Sequence, residues 1–264
     1  MIGAGEGPAL LLLHGIGGHC GQWAAQVAAL GTRFGTLAWS ARGYGQSIGP
    51  TVRTMGDFAD DLLRLLDTLA VERIIAVGHS MGGRILLECA ARAPDRIAGM
   101  VLSGAQSAFL AHMTSDEAAQ YLARRRALFD DGAVSAERAR ALALGVMAQG
   151  APPRAVDRLA DDFTRLRRDG YLSAIRASIG WSREDILPDL DMPVMVIGGA
   201  QDTVCPPAEC HRVAGRIGQG PALILDDVGH MAQIEAPERV TTILADFADR
   251  HGARASHLNT GEIP

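Results

Sequence analysis

The pentapeptide Gly78-His79-Ser80-Met81-Gly82 narrows the folds open to this chain more than any other stretch. It follows an apolar run, Arg73–Val77, and opens a helical pattern that runs to Arg92 and is closed by Pro94. A G-x-S-x-G string in that context predicts a tight strand-to-helix turn with serine at its apex. Such a turn strains the serine backbone and lifts its hydroxyl above a sheet. Gly78 and Gly82, with Gly83 behind them, leave room for neighbouring segments, and the helix N-terminus offers N–H groups to developing negative charge. The bland alternative is an ordinary glycine-rich turn, so the rest of the chain has to decide.

The surrounding pattern is that of an α/β protein. Ala9–His14, Thr36–Ser40, Arg73–Gly78 and Ala98–Ser103 read as buried strands, with helical patterns between them. The clearest helix covers Thr54–Ala70, with Phe58, Leu62, Leu65, Leu66 and Leu69 on one face and a T-x-x-D capping box at Thr54 and Asp57. Strands alternating with helices predict parallel pairing, because a right-handed crossover needs a helix to return the chain. From about Ser107 to Leu187 no strand pattern occurs, and four helical segments are expected instead: Ser115–Phe129, Ser135–Ala148, Pro153–Arg168 and Gly170–Ile179. Strands resume at Pro193–Gly198 and Ala222–Asp226, followed by a helix over about Pro237–Arg250. The expected organisation is a core of residues 1–106 and 188–251, a helical cap inserted at 107–187, and a flexible tail over 252–264.

Composition fits one large domain: 264 residues, 48% of them hydrophobic. Acidic residues outnumber basic ones 30 to 25, for a net charge of -5, which argues against phosphate neutralisation and hence against a nucleic-acid partner. No apolar run approaches the roughly 20 residues that span a bilayer, and the first residues carry no basic region ahead of their apolar stretch, so neither a membrane partner nor a signal peptide is expected. The cysteines, Cys20, Cys89, Cys205 and Cys210, have neither disulfide-framework nor zinc spacing. A reduced, cytoplasmic setting is expected, with no metal.

A serine nucleophile needs a base, and a base needs an orienting acid. His230 lies in Asp227-Val228-Gly229-His230-Met231, just past the last strand, and Asp202 ends Gly198-Gly199-Ala200-Gln201-Asp202, just past the strand before it. Ser80, Asp202 and His230 therefore all fall at C-terminal ends of parallel strands, where open α/β sheets place their sites. Asp226 and Asp227 lie close to His230 in sequence and compete with Asp202 for the acid role. His14-Gly15-Ile16-Gly17-Gly18 ends the first strand, and the amides of Ile16 and Met81 are the expected oxyanion donors. His14 is expected to brace that loop from below.

With HGIGG, ARGYGQS, GHSMGG, GGAQD and VGHMAQIEAPE in register, the chain resembles α/β-hydrolases over nearly its whole length. The resemblance implies a mostly parallel sheet flanked by helices. The antiparallel hairpin such proteins carry ahead of the HG strand is missing from the eight residues before Ala9. Arg168-Asp169-Gly170-Tyr171-Leu172-Ser173-Ala174 and Asp185-Ile186-Leu187 resemble the 3-oxoadipate enol-lactonase and esterase branch. The implied activity is hydrolysis of a small-molecule carboxylic ester or (enol-)lactone through an acyl-enzyme, with no cofactor because the triad makes its own nucleophile. Two other readings stay open: a C–C bond hydrolase acting on a vinylogous diketone ring-fission product, and a ligand-binding sensor on a hydrolase scaffold. A homo-oligomer is compatible with the sequence.

Pocket walls are expected from His19 beside the oxyanion loop and from Phe109, Met147, Tyr171 and Trp181 on the inserted helices, with packing of the insert on itself as the rival reading. His79 reads as a packed core histidine, Trp23 as a helix anchor, and Cys205 and Cys210 as small buried hydrophobes. Arg124–Arg126 reads as a solvated helix face, with attraction of a substrate carboxylate as the rival.

Overall fold

A computed structural model describes residues 1–129 and 132–258. Strands β1 (Ile2–Ala4) and β2 (Gly7–Leu13) lead to helix α1 (Ala24–Leu30), β3 (Phe34–Trp39), α2 (Met55–Thr68), β4 (Ile74–His79), α3 (Met81–Arg92) and β5 (Ile97–Ser103). The chain then leaves the sheet through β6 (Ala108–Phe109), α4 (Ser115–Arg126), α5 (Ala136–Val146), α6 (Pro153–Thr164), α7 (Arg168–Ser178) and β7 (Trp181–Ser182). It returns as β8 (Val194–Gly199), α8 (Pro207–Ile217), β9 (Leu223–Leu225), α9 (Ala232–Glu235) and α10 (Pro237–His251).

Seven strands form one sheet in the order β1-β3-β2-β4-β5-β8-β9, all neighbours parallel except β1 against β3. The leucine run of β2 shows how the sequence builds both faces. Leu10 and Leu12 pack with Trp23, Val27, Ile75 and Val77, whereas Leu11 and Leu13 pack with Met55, Leu62, Ala76 and Ile85. A continuous apolar strand serves two cores because successive side chains point to opposite faces. The capping box at Thr54 forms as expected, with the Asp57 amide donating to the Thr54 hydroxyl and the Thr54 amide donating to the Asp57 carboxylate.

As expected, no N-terminal hairpin precedes the HG strand: a single edge strand, β1, pairs with β3 (Ile2 opposite Leu37) and not with its sequence neighbour β2. Two other expectations change. The stretch expected to hold no strand contains β6 and β7, which pair antiparallel where the chain leaves and rejoins the core, Phe109 opposite Trp181. Two residues per strand are too few to leave a period-2 signal. The tail expected to be flexible is docked over 252–258. Ser256 donates its N–H to the Arg73 carbonyl at 2.8 Å and accepts from the Ala9 N–H at 2.7 Å, and Leu258 is buried against Gly35. These bonds satisfy backbone groups at the start of β2 and just before β4 that the sheet leaves open. The remainder of the tail, 259–264, lies outside the described residues. Among the described residues no helix is long and apolar enough to cross a membrane.

Candidate active site

Ser80 is the residue between β4 and α3, with φ 51° and ψ −111°. A non-glycine residue at positive φ with this ψ is strained by about 1–3 kcal/mol. The strain is held in place from both sides: the Ser80 N–H donates to the Ser103 carbonyl at 2.9 Å, and the Ser80 carbonyl accepts from Gly83 at 3.0 Å. The elbow glycines behave as the sequence suggested. A Cβ on Gly82 would lie 2.6 Å from the Leu13 carbonyl oxygen, and one on Gly78 would meet the backbone of Gly82 at 2.5 Å. Helix α3 behind the elbow is buried almost throughout, which fixes the direction of its N-terminus.

His230 and Asp202 are brought together. The His230 Nδ1–H donates to Asp202 Oδ2 at 2.7 Å, and the acid side chain is wholly shielded from solvent. Its other oxygen, Oδ1, accepts from the Val204 and Cys205 amides at 2.7 and 2.8 Å. Three donors on one carboxylate compensate its burial. With Asp202 accepting at Nδ1–H, the Nε2 of His230 is the acceptor nitrogen. Asp226 and Asp227, the rival acids, are exposed. Ser80 and His230 line one cavity. His79 stands beside His230, their ring centroids 4.6 Å apart. Burial holds its pKa well below the ordinary histidine value, so it stays neutral there.

The His14–Gly18 loop also faces this cavity through Ile16. The Gly18 N–H donates to the Gly15 carbonyl at 3.0 Å, which closes a turn and leaves the Ile16 and Gly17 amides without a partner inside it. Met81 is the first residue of α3, where an N–H precedes any intrahelical acceptor. Its side chain is in the core. His14 braces the loop: Nδ1–H donates to the Gly15 carbonyl at 2.7 Å, and Nε2 accepts the Ala41 N–H at 3.0 Å.

That neutral tautomer is the one burial enforces, pushing the His14 pKa from its ordinary value of 6.5 down to about 4. A depressed folded-state pKa contributes stability in full above about pH 6.5, and that stability is lost as pH falls through about 4. A change of this size is worth on the order of 3 kcal/mol. We expect chemical-denaturation midpoints to fall between pH 7 and pH 4, and His14→Gln to be less stable at pH 7 but to lose less on acidification. An unchanged slope in that variant would remove His14 from the account.

The expected pocket walls divide. Phe109 and Tyr171 line the cavity, while His19, Met147 and Trp181 do not. His19 is turned away by two bonds, accepting the Gly21 N–H at 3.0 Å and pairing with Asp162 at 2.9 Å. Helix α5 ends at Val146, so the extended backbone at Met147 sends its side chain into a cluster with Met231 and Ile234, and Val146 lines the cavity instead. Trp181 is held over α3, where Nε1 donates to buried Glu88 at 2.9 Å. Cys205 and Cys210 are buried with sulfurs 3.7 Å apart, and the contact with Cys210, then burial, push the Cys205 thiol up, away from the reactive thiolate.

Glu235 is a positioning residue that was not singled out from the sequence. Its Oε2 accepts the Ala148 and Gly229 amides at 2.8 and 3.0 Å, and its Oε1 accepts the Met231 amide at 2.9 Å. The His230 N–H donates to the Val146 carbonyl at 2.8 Å. One carboxylate thus ties the loop carrying His230 to the segment after α5. Only glycine fits at 229, because a Cβ there would lie 2.6 Å from the Met147 carbonyl carbon. The available signal was the Glu in VGHMAQIEAPE, five residues after the histidine. Among the described residues no cluster of His, Cys, Asp and Glu could hold a metal.

Comparison with known proteins agrees with this fold. The profile of the alpha/beta hydrolase fold family matches residues 8–237. The chain is 27% identical to a thermophilic esterase from Thermogutta terrifontis, with a TM-score of 0.81 over 94% of this chain and 92% of that one. It is 27% identical to the enol-lactonase from Burkholderia xenovorans LB400, with a TM-score of 0.80 over 93% and 92% of the two chains. Among curated proteins it is 29% identical to the dihydrolipoyllysine-residue acetyltransferase component of the acetoin cleaving system of Pseudomonas putida. That match covers 95% of this chain but only 66% of the longer relative.

Proposed function

The chain belongs to the alpha/beta hydrolase fold family and is a hydrolase, and on that premise we propose that it cleaves a carboxylic ester or (enol-)lactone through an acyl-enzyme formed on Ser80. The observation carrying this reading is the shielded His230–Asp202 pair, with Ser80 and His230 on the wall of one cavity. His230 Nε2 takes the Ser80 proton as Oγ attacks the carbonyl carbon, and Asp202 holds the tautomer and offsets the imidazolium charge. The Ile16 and Met81 amides receive the tetrahedral oxyanion. The proton passes from His230 to the leaving oxygen, so that an ester's alcohol departs while a lactone's ring-opened enol stays tethered in the acyl-enzyme, and water deprotonated by His230 then releases the acid.

The helical segment 107–187 acts in this reading as a cap. Helices α4 to α7 each contribute to the cavity, through Tyr121, Val146, Phe163 and Tyr171. Such a cover excludes bulk water and shapes the acyl site. Likeness to an enol-lactonase and to an esterase supports the substrate class.

A fluorophosphonate probe followed by peptide mapping tests the assignment, with p-nitrophenyl esters, enol-lactones and a ring-fission dienoate assayed in parallel. We expect one adduct, on Ser80, and turnover of esters or lactones. Adduct formation elsewhere, or dienoate cleavage with negligible ester turnover, would overturn it.

A further inference from the structure

Arg84 is one helical turn beyond Ser80 on α3, on the same side of the helix, and its side chain reaches the cavity that Ser80 and His230 line. It is only 3% exposed. Its guanidinium stacks on Phe109 at 4.2 Å, which covers a face of the group and leaves its N–H edge unused. Among the described residues Nη1 is buried without a hydrogen-bond partner and Arg84 makes no ion pair. Other buried charges here are compensated: Glu88, for example, is bound by Arg92, Arg183 and Trp181.

A second guanidinium reaches the same space. Arg125 on α4 lines the cavity, steadied by a 3.0 Å bond to the Tyr121 hydroxyl. Among the described residues no carboxylate lines the cavity, since Asp202 is behind His230. Two guanidinium groups with no acidic partner among the described residues, one of them almost wholly buried, give the cavity positive charge that those residues do not compensate. Burial lowers the Arg84 pKa to about 10, so the group remains charged at neutral pH.

We propose that Arg84, assisted by Arg125, is a subsite for a second, non-reacting carboxylate of the substrate, so that this protein acts on anionic esters or lactones. The inference rests on the serine-hydrolase reading for its reacting end, but the subsite itself is an independent feature of the cavity. A guanidinium edge matches a planar carboxylate bidentately. Four residues of helix rise put Arg84 about 6 Å along the axis from Ser80, so the two ends of the substrate are joined by a short aliphatic spacer. The apolar walls of the same cavity, Phe109 and Ile175 included, suit such a spacer.

The test compares p-nitrophenyl esters of succinate and glutarate monoanions with the uncharged butyrate and valerate esters on the intact protein. We expect kcat/KM to favour the anionic member of each pair by roughly ten- to a hundredfold, the range of charge-assisted hydrogen bonds. Arg84→Gln should lower that ratio at least tenfold, chiefly through KM, and Arg84→Lys should recover part of it. No anionic preference in the native protein, or a variant in which both rates fall together and the ratio survives, would overturn the proposal. Calorimetry with glutarate separates the two claims. Binding to Ser80→Ala that is lost when Arg84→Gln is added supports the subsite even if no ester is turned over. Ester turnover with no glutarate binding and no anionic preference sinks the subsite alone.

Discussion

Ser80→Ala is expected to remove hydrolytic turnover, lowering kcat by roughly a millionfold, as the loss of a triad serine does elsewhere. The residual rate would come from the oxyanion donors and from binding, which the variant keeps. Fluorophosphonate labelling should vanish with it. The same position makes a second, opposite prediction about stability. Because Ser80 holds φ 51° and ψ −111°, a conformation open to glycine, Ser80→Gly should unfold at higher denaturant than Ser80→Ala, by about 1 kcal/mol once the extra freedom of the unfolded glycine is deducted. Turnover within tenfold of the native protein in either variant would dismiss Ser80 as nucleophile. Equal stability of the two would dismiss the claim that the elbow stores strain.

Asp202→Asn should cost about ten-thousandfold in kcat with little change in fold. The reason is the way the side chain is held. Oδ1 accepts two backbone N–H groups, from Val204 and Cys205, so an asparagine must keep its carbonyl oxygen there. Its NH2 then faces His230, where Asp202 Oδ2 now accepts at 2.7 Å. Two donors cannot share that bond, so the imidazole must carry its proton on Nε2 and can no longer accept one from Ser80. Steady-state kinetics beside a thermal-unfolding control would check it, and an activity loss of less than tenfold would show that another group orients His230.

Much of this arrangement was readable before any coordinates because it depends on periodicity and chain order. Parallel strands put their C-terminal ends on one side, so Ser80, Asp202 and His230 could be grouped from position alone. What escaped notice depends on contacts between distant segments. Helix α1, with Ala at four of its seven positions, carries little amphipathic contrast. The docking of Ser256 onto Arg73 and Ala9 joins residues far apart in sequence, and the tail's polar composition hid it. Arg124–Arg126 read as a solvated face, yet Arg125 turns inward beside Tyr121, while Arg84 drew no attention inside a motif read for its glycines. Met147 and Trp181 read from the sequence as pocket walls, with packing of the insert on itself as the rival. Their directions follow instead from the end of α5 and from a buried glutamate.

The Glu235 bracket divides the cavity wall into two mechanical parts. Val146–Ala148 share hydrogen bonds with the loop that carries His230, so displacement on that side drags the imidazole out of register. Helix α4 has no buried residue of its own, yet it presents Tyr121 and Arg125 to the cavity, outside that hydrogen-bonded bracket. In the proposed reaction, substrate and product would therefore pass on the α4 side, where substitutions would change acyl preference while His230 keeps its alignment.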